Sequence, residues 1–296
     1  MIEASHHDVD TAYASVDRHQ LQDFEPYLYR TRDRGKTWQK VTGGLPAGVY
    51  VHVVKEDPMR AGLLFAGTER GAFISFDGGD SWRALQLGLP VTSVRDFEVY
   101  DGDLIVATHG RGFWVIDDIA PLRQATAAIA SADAYLFQPT DIVYRAASGD
   151  DGTPLQKDEP QTPNPPAGGY IDYYLGHDAS GPVSIEILDA SGTVVHTFSN
   201  QPSQDAATSR GRGRAGGIAN VSPLWQPEPE PFATTAGMHR VAWVPVALPP
   251  RGAGGGGGGF FRQATPLLGS FTARLTANGK TMERRFVVRP SDGAVD

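Results

Sequence analysis

The chain has 296 residues, enough for one or two domains with a sizeable core, and its 35 glycines and 22 prolines among only 20% charged residues favour short strands and many turns over helices. A formal net charge of −8 argues against a general nucleic-acid binder, and no apolar run approaches the roughly 20 residues of a membrane-spanning helix. The absence of cysteine excludes disulfides, thiolate-bound zinc and thiol nucleophiles, without identifying a compartment.

Met1 to His7 lacks the basic and apolar regions of a signal peptide and leads directly into a repeat. His6-His7 is a weak metal signal, better read as part of a strand turn, and no metal or cofactor is expected. Three segments then align by a strand–loop–strand pattern, each placing an arginine four residues after a strand alanine: Ala14 to Arg18, Ala66 to Arg70 and Ala107 to Arg111. A second strand follows each, at Tyr27 to Arg30, Ala72 to Phe76 and Phe113 to Ile116. Val49 to Lys55 and Val94 to Tyr100 read as first strands of their repeats, and Thr37 to Val41 and Ser81 to Leu87 as last strands. This pattern predicts four-stranded units of roughly 40 to 50 residues.

Two of the repeats carry the same turn. Thr31, Asp33, Gly35, Thr37 and Trp38 recur as Ser75, Asp77, Gly79, Ser81 and Trp82. A short Asp side chain accepts hydrogen bonds from backbone N–H groups just ahead of it, glycine supplies positive φ, and the tryptophan caps the turn with apolar area. The third repeat ends in Asp117-Asp118 without the glycine and tryptophan, as a terminal repeat does.

From Pro121 to about Pro166 the pattern dissolves into Ala-rich and then Asp-, Gly-, Pro- and Gln-rich sequence, read as a linker that packs in part on its neighbours through Tyr135 to Phe137. A second β domain follows. Tyr170 to Leu175 reads as a strand, Val183, Ile185 and Ile187 alternate with polar residues, and Thr193 to Phe198 returns after the turn Asp189 to Gly192. Met238 to Trp243 is a further strand, and Asn278-Gly279 joins two alternating runs as a type I′ hairpin. Ser209 to Arg214 and Gly254 to Gly259 read as low-complexity insertions, and Pro227 to Pro231 as an extended connector; an RGG-like nucleic-acid segment and a Pro-rich ligand are their alternatives.

The doubled turn resembles the Asp box of sialidase-like and sortilin-type β-propellers. With the phrases TRDRGKTW, YVHVVKEDP, LLFAGTERGAF, LPVTSVRD and ATHGRGFWVIDD, the first 120 residues resemble the last blades of bacterial sortilin-like, BNR-repeat propellers of the type labelled glycosyl hydrolase. The rest is similar to the β-sandwich that often follows them. The expected fold is all-β: two to three propeller blades over 1–121, a linker over 122–165, an immunoglobulin-like sandwich with Gly-rich insertions over 166–290, and a tail over 291–296. A closed propeller has four to eight blades, so the expectation is a C-terminal portion of a longer chain, or assembly of the open edge with missing blades or another chain.

In that family the Asp box is structural, which implies that Thr31, Asp33, Gly35, Trp38, Ser75, Asp77, Gly79 and Trp82 are not catalytic. Alternating strand direction places the loops of Arg18, Arg70 and Arg111 at the opposite end, the candidate ligand face, with Asp17, His19, Asp23, Glu69 and His109. The connections Gly44-Leu45-Pro46 and Gly88-Leu89-Pro90 are expected there too. Three arginines on successive blades either bind an anion or tie their own loops. Glycosidase chemistry needs a carboxylate pair, and Glu69, Asp17, Asp23 and Asp96 occupy no motif that assigns one. The reading is thus an exported protein, secreted or periplasmic by the resemblance alone, that binds or scaffolds a glycan, peptide or protein. The alternative is a sialidase- or BNR-like glycoside hydrolase whose catalytic carboxylates lie mainly on blades missing from this chain.

Overall fold

The computed structural model describes residues 1–85, 87–144, 168–201, 232–247 and 265–291, in two compact units that divide between Thr126 and Ala127. The Arg-Gly repeats at 209–214, the Pro-Glu stretch at 227–231, the Gly run at 254–259 and the later part of the expected linker lie outside the described residues.

The first unit is three antiparallel sheets in strict chain order. Strands β1 (Ile2–Ala4), β2 (Ala12–Ser15), β3 (Leu28–Thr31) and β4 (Gln39–Lys40) form the first. Strands β5 (Val51–Glu56), β6 (Leu64–Thr68), β7 (Gly71–Ser75) and β8 (Arg83–Leu85) form the second. The third has three strands among the described residues, β9 (Val94–Tyr100), β10 (Asp103–Thr108) and β11 (Phe113–Ile116), with no outer strand beside the repeat that ends in Asp117-Asp118. Each is a meander of the kind that makes a propeller blade.

β6 and β7 are buried along their whole length because they are covered on both faces. One face of this middle blade, with Val54, Leu64, Ala66, Phe73 and Trp82, packs on Tyr13, Leu28, Val41 and Leu45 of the first. The other, with Phe65, Ala72 and Ile74, packs on Phe97, Leu104 and Val106 of the third. Alternation along each strand thus serves two cores at once, which explains why these strands read as apolar runs.

Past the third blade, a short helix α1 (Ala120–Gln124) returns Arg123 to the turn after β5, where its guanidinium Nε donates to both carboxylate oxygens of fully buried Asp57 at 3.2 and 2.9 Å. Asp57 Oδ1 also accepts the backbone N–H of Met59 and Arg60. This stretch belongs to the first unit, although composition places it at the start of a linker.

The second unit begins with one helical turn, α2 (Ala127–Ala130), and is a sandwich. One sheet has the order β12 (Ala134–Leu136), β14 (Gly169–Leu175), β17 (Gly237–Trp243). The other has the order β13 (Ile142–Tyr144), β19 (Lys280–Pro290), β18 (Gly269–Ala277), β15 (Ser184–Leu188), β16 (Val194–Ser199), with β13 parallel to β19. Ile171, Tyr173, Leu175 and Trp243 from the first close on Ile185, Ile187, Phe271, Leu275 and Phe286 from the second. Asn278 and Gly279 have φ of 51° and 72°, the paired positive values a type I′ hairpin requires. Strands β12 and β13 come from sequence that reads as linker; three residues each, they are too short to show a period.

The described residues are all-β apart from short helical turns, and among them no helix is long and apolar enough to cross a membrane.

Candidate ligand-binding face

The turns Thr31 to Trp38 and Ser75 to Trp82 have the same hydrogen bonds. Thr31 Oγ1 donates to Asp33 Oδ1 at 2.8 Å and accepts Gly35 N–H at 2.9 Å, while Asp33 accepts the backbone N–H and hydroxyl of Thr37 at 2.9 and 2.6 Å. Ser75, Asp77, Gly79 and Ser81 repeat this at 2.7, 2.9, 2.9 and 2.5 Å. The Thr37 hydroxyl and N–H, with the Thr31 hydroxyl, hold Asp33 down to a pKa of about 2. Asp77 is also held low: burial pushes it up, but the Ser81 hydroxyl and N–H outweigh that. In both turns the carboxylate oxygens are engaged by donors of the turn itself, which stabilises the ionised form. The tryptophans differ: Trp38 donates to Gly35 of its own turn at 3.2 Å, Trp82 to Val41 of the preceding blade at 3.0 Å.

At the opposite end, the β2–β3 and β6–β7 loops meet the first residues of β5 and β9. His52, whose side chain is 6% exposed, sits between two carboxylates: Nδ1 is 3.3 Å from Asp17 Oδ2 and Nε2 is 3.0 Å from Glu69 Oε2. Ser93 Oγ approaches Nε2 at 3.1 Å, and Arg95 places one guanidinium nitrogen 3.4 Å from Nδ1 and another 3.8 Å from Glu69. His19, in a 3-10 turn (His19–Leu21), brings its Nδ1 within 2.6 Å of Asp17 Oδ1 and stacks on Tyr50 with centroids 4.8 Å apart. Phe24, half exposed, flanks the same ring at 6.0 Å. Three successive blades therefore contribute to one continuous cluster.

Its electrostatics follow from the contacts. Burial would raise Glu69, but hydrogen bonds from His52, Ser93 and Tyr50 bring it below the ordinary carboxylate value. Asp17 behaves alike, with burial opposed by the backbone N–H and imidazole of His19. The Tyr50 phenol is pushed up by burial and by its hydrogen bond to Glu69. Both carboxylates stay ionised at neutral pH, and both can accept from the ring between them only when it carries two N–H groups. The surface combines fixed anions, a guanidinium and an accessible aromatic face, which suits a polar ligand with a flat apolar side.

Of the residues expected on this face, Glu69, Asp17 and His19 are drawn together. Arg18 instead pairs with Asp23 of its own loop at 3.1 Å and lies over the Tyr27 ring, the local tie that was one of its two readings. Arg70 and Arg111 are exposed and make no ion pair among the described residues. His109 is exposed and held through its backbone, its N–H donating to Ser93 O at 2.8 Å and its carbonyl accepting Thr92 Oγ1 at 3.3 Å. Gly43 and Gly44 lie elsewhere: Gly43 O accepts Trp82 N–H at 2.7 Å, so this connection runs beside the Asp-box turn of the middle blade. A Cβ on Gly44 would fall 2.3 Å from Trp82 O.

Reading by loops missed Tyr50, His52, Ser93 and Arg95, because they sit at the starts of β5 and β9 or immediately before them. Their signal was present as polar residues opening the apolar strands in YVHVV and TSVRD. Among the described residues no group of three or more His, Asp or Glu side chains is arranged to hold a metal ion, and the rings of His6 and His7 turn to Glu3 (3.5 Å) and the Asp57 carbonyl (2.9 Å).

No family model matches the chain, and no curated protein matches it. Among solved structures it is similar to an ancestral GH74 enzyme, with 12% identity, a TM-score of 0.28, and coverage of 68% of this chain and 27% of that one. It is also similar to the extracellular domain of a hybrid two-component system from B. thetaiotaomicron, with 7% identity, a TM-score of 0.25, and coverage of 91% and 29%. The chain thus spans less than a third of the length of either.

Proposed function

We propose that the first unit is a binding module whose Asp17–His52–Glu69 face takes a glycan, with secretion or a periplasmic location as part of the same reading. The carrying observation is the placement of an imidazole between two ionised carboxylates. An inverting or retaining hydrolase needs that gap for water or the scissile bond, and needs one carboxyl protonated as the acid. Here the ring fills the gap and both carboxyls are pulled down. Half-exposed Phe24 offers a stacking face for a sugar ring beside Arg95 and Glu69, which match vicinal hydroxyls in bidentate fashion.

Titration calorimetry of the full chain against a panel of neutral and acidic oligosaccharides tests this. At least one should bind, with Phe24→Ala and Glu69→Gln each weakening it about tenfold, near 1.4 kcal/mol. A folded protein that binds none of the panel overturns the reading.

One observation favours a second reading. Tyr50 hydrogen-bonds Glu69, the tyrosine–carboxylate pairing that a sialidase-type hydrolase uses as nucleophile and base. Burial and the stacked His19 ring disfavour it by raising the phenol and covering its face. Release of fluorophore from an aryl sialoside, abolished by Tyr50→Phe, would establish it over binding alone.

A further inference from the structure

The second unit carries a groove of its own, over the outer side of the five-stranded sheet. It has a volume of about 630 Å³ and is walled by the β15–β16 turn at Asp189–Gly192 and by Asp141, just ahead of β13. Its floor is Ser270, Thr272 and Arg274 of β18 with Glu283, Arg285 and Val287 of β19. Alternation explains the set: Phe271, Ala273, Phe286 and Val288 turn into the core, so the residues alternating with them turn out. The volume falls in the range of roughly 300–1,000 Å³ usual for small-molecule sites.

Strand register shows which of the charges here are already taken. Arg274 stands opposite Glu186 on one side and Glu283 on the other, and reaches both, at 3.5 and 2.7 Å. Asp141 accepts the N–H of Val287 at 2.9 Å and pairs with Arg289 at 2.7 Å. Asp189 accepts the N–H groups of Ser191 and Thr193 and the Ser191 hydroxyl, all within its own turn. Arg285 is different. Opposite charges facing each other across strands stabilise a sheet, but Arg285 faces Thr272, and Thr272 faces Leu188 beyond it. Among the described residues the exposed Arg285 guanidinium makes no ion pair, and the Thr272 and Ser270 hydroxyls have no hydrogen-bond partner. The floor of the groove thus holds one guanidinium without a counter-charge, beside uncommitted hydroxyls.

We propose that this groove is a second ligand site and that it takes a sugar acid. The ligand carboxylate pairs with Arg285, whose fork of N–H donors matches both oxygens, and accepts the Thr272 hydroxyl as well. Sugar hydroxyls donate to Asp141 at the rim, since a carboxylate offers about four acceptor positions and the contacts of Asp141 to Val287 and Arg289 leave some open. Two features disfavour other classes. The aromatic residues of the lining, Phe271 and Phe286, are buried in the core, so a neutral sugar has no ring face to stack on. Asp141, Asp189 and Glu283 surround Arg285, so the second negative charge of a phosphate group meets repulsion that a carboxylate avoids.

Titration calorimetry of the full chain tests this, with digalacturonate as the probe and neutral digalactose beside it. Digalacturonate should bind, and digalactose about tenfold more weakly. Arg285→Ala should weaken digalacturonate binding about tenfold and Thr272→Val about threefold, the losses for a charge-assisted pair and a single neutral hydrogen bond. Arg285→Lys should also lose most of the affinity, because a point charge cannot span both oxygens. The same titrations on the Glu69→Gln chain tell this groove from the face of the first unit. Binding that Glu69→Gln removes and Arg285→Ala spares belongs to the first unit and overturns the proposal. So does a folded parent that binds no digalacturonate, and so does inorganic phosphate bound as tightly as the sugar acid. Arg285 is exposed, so folding should persist in its variants, and far-ultraviolet circular dichroism checks it.

Discussion

Trp38 and Trp82 end two turns with the same hydrogen-bonding pattern, yet differ in what surrounds them. The Trp82 indole is buried in the core between the first and middle blades and donates to Val41, while Trp38 reaches only its own turn. Trp82→Ala should therefore cost about 3–5 kcal/mol, the range for deleting a large buried aromatic. Trp38→Ala should stay within about 0.5 kcal/mol of the parent, as exposed substitutions do. Urea denaturation of both variants gives the comparison. At this scale the Asp-centred turn was readable, because the hydroxyl and N–H donors to Asp33 and Asp77 lie within five residues of them. The chemistry of His52 was not, since its partners Asp17 and Ser93 lie 35 positions before it and 41 after.

At the scale of elements, α1 is anchored by one ion pair rather than by its own length. Five residues form no stable helix in water, and the cap residue Ile119 has no side-chain acceptor to offer, although Asp118 Oδ1 accepts the N–H of Ala120 at 3.0 Å. It is held by Arg123 on Asp57, by the Arg60 guanidinium donating to Leu122 O at 2.5 Å, and by Ile119 in the core of the middle and third blades. Asp57→Asn removes the charge while leaving the buried guanidinium behind, and a loss of about 3–5 kcal/mol is expected, as when one partner of a buried pair is removed. Thermal denaturation monitored on the tryptophans reads it. The same logic explains what was missed in β12 and β13. Their strand character comes from pairing with β14 and β19, far along the chain, and three residues carry no pattern of their own. β18 and β19, by contrast, were readable from alternation and the Asn278-Gly279 turn alone.

At the scale of the whole molecule, seven carboxyls among the described residues lie below their ordinary values: Asp8, Asp17, Asp33, Glu69 and Asp77 in the first unit, Asp133 and Asp189 in the second. A carboxyl depressed in the folded state binds fewer protons there than in the unfolded chain. Its stabilisation is complete above the ordinary carboxylate range and is lost as pH falls through the depressed value. For Asp33 that loss runs from 3.8 down to about 2. His196, lowered by burial, is neutral where the unfolded imidazole would be charged, so its penalty begins as pH drops below 6.5. The melting temperature should change little on moving down from neutral pH, decline gently below 6.5, and fall steeply below about 4. A melting temperature that rises on acidification would contradict this assignment of charges.

The sequence by itself determined the strands with strong alternation, the two Asp-centred turns, the type I′ hairpin and the all-β class, because each depends on interactions between residues a few positions apart. Tertiary structure alone decided which loop residues meet. It turned Arg18 to its own Asp23, left Arg70 and Arg111 in solvent, and drew Asp17, His52, Glu69, Ser93 and Arg95 from three blades around one imidazole. Periodicity specifies which side chains share a face, whereas burial depends on what packs against it.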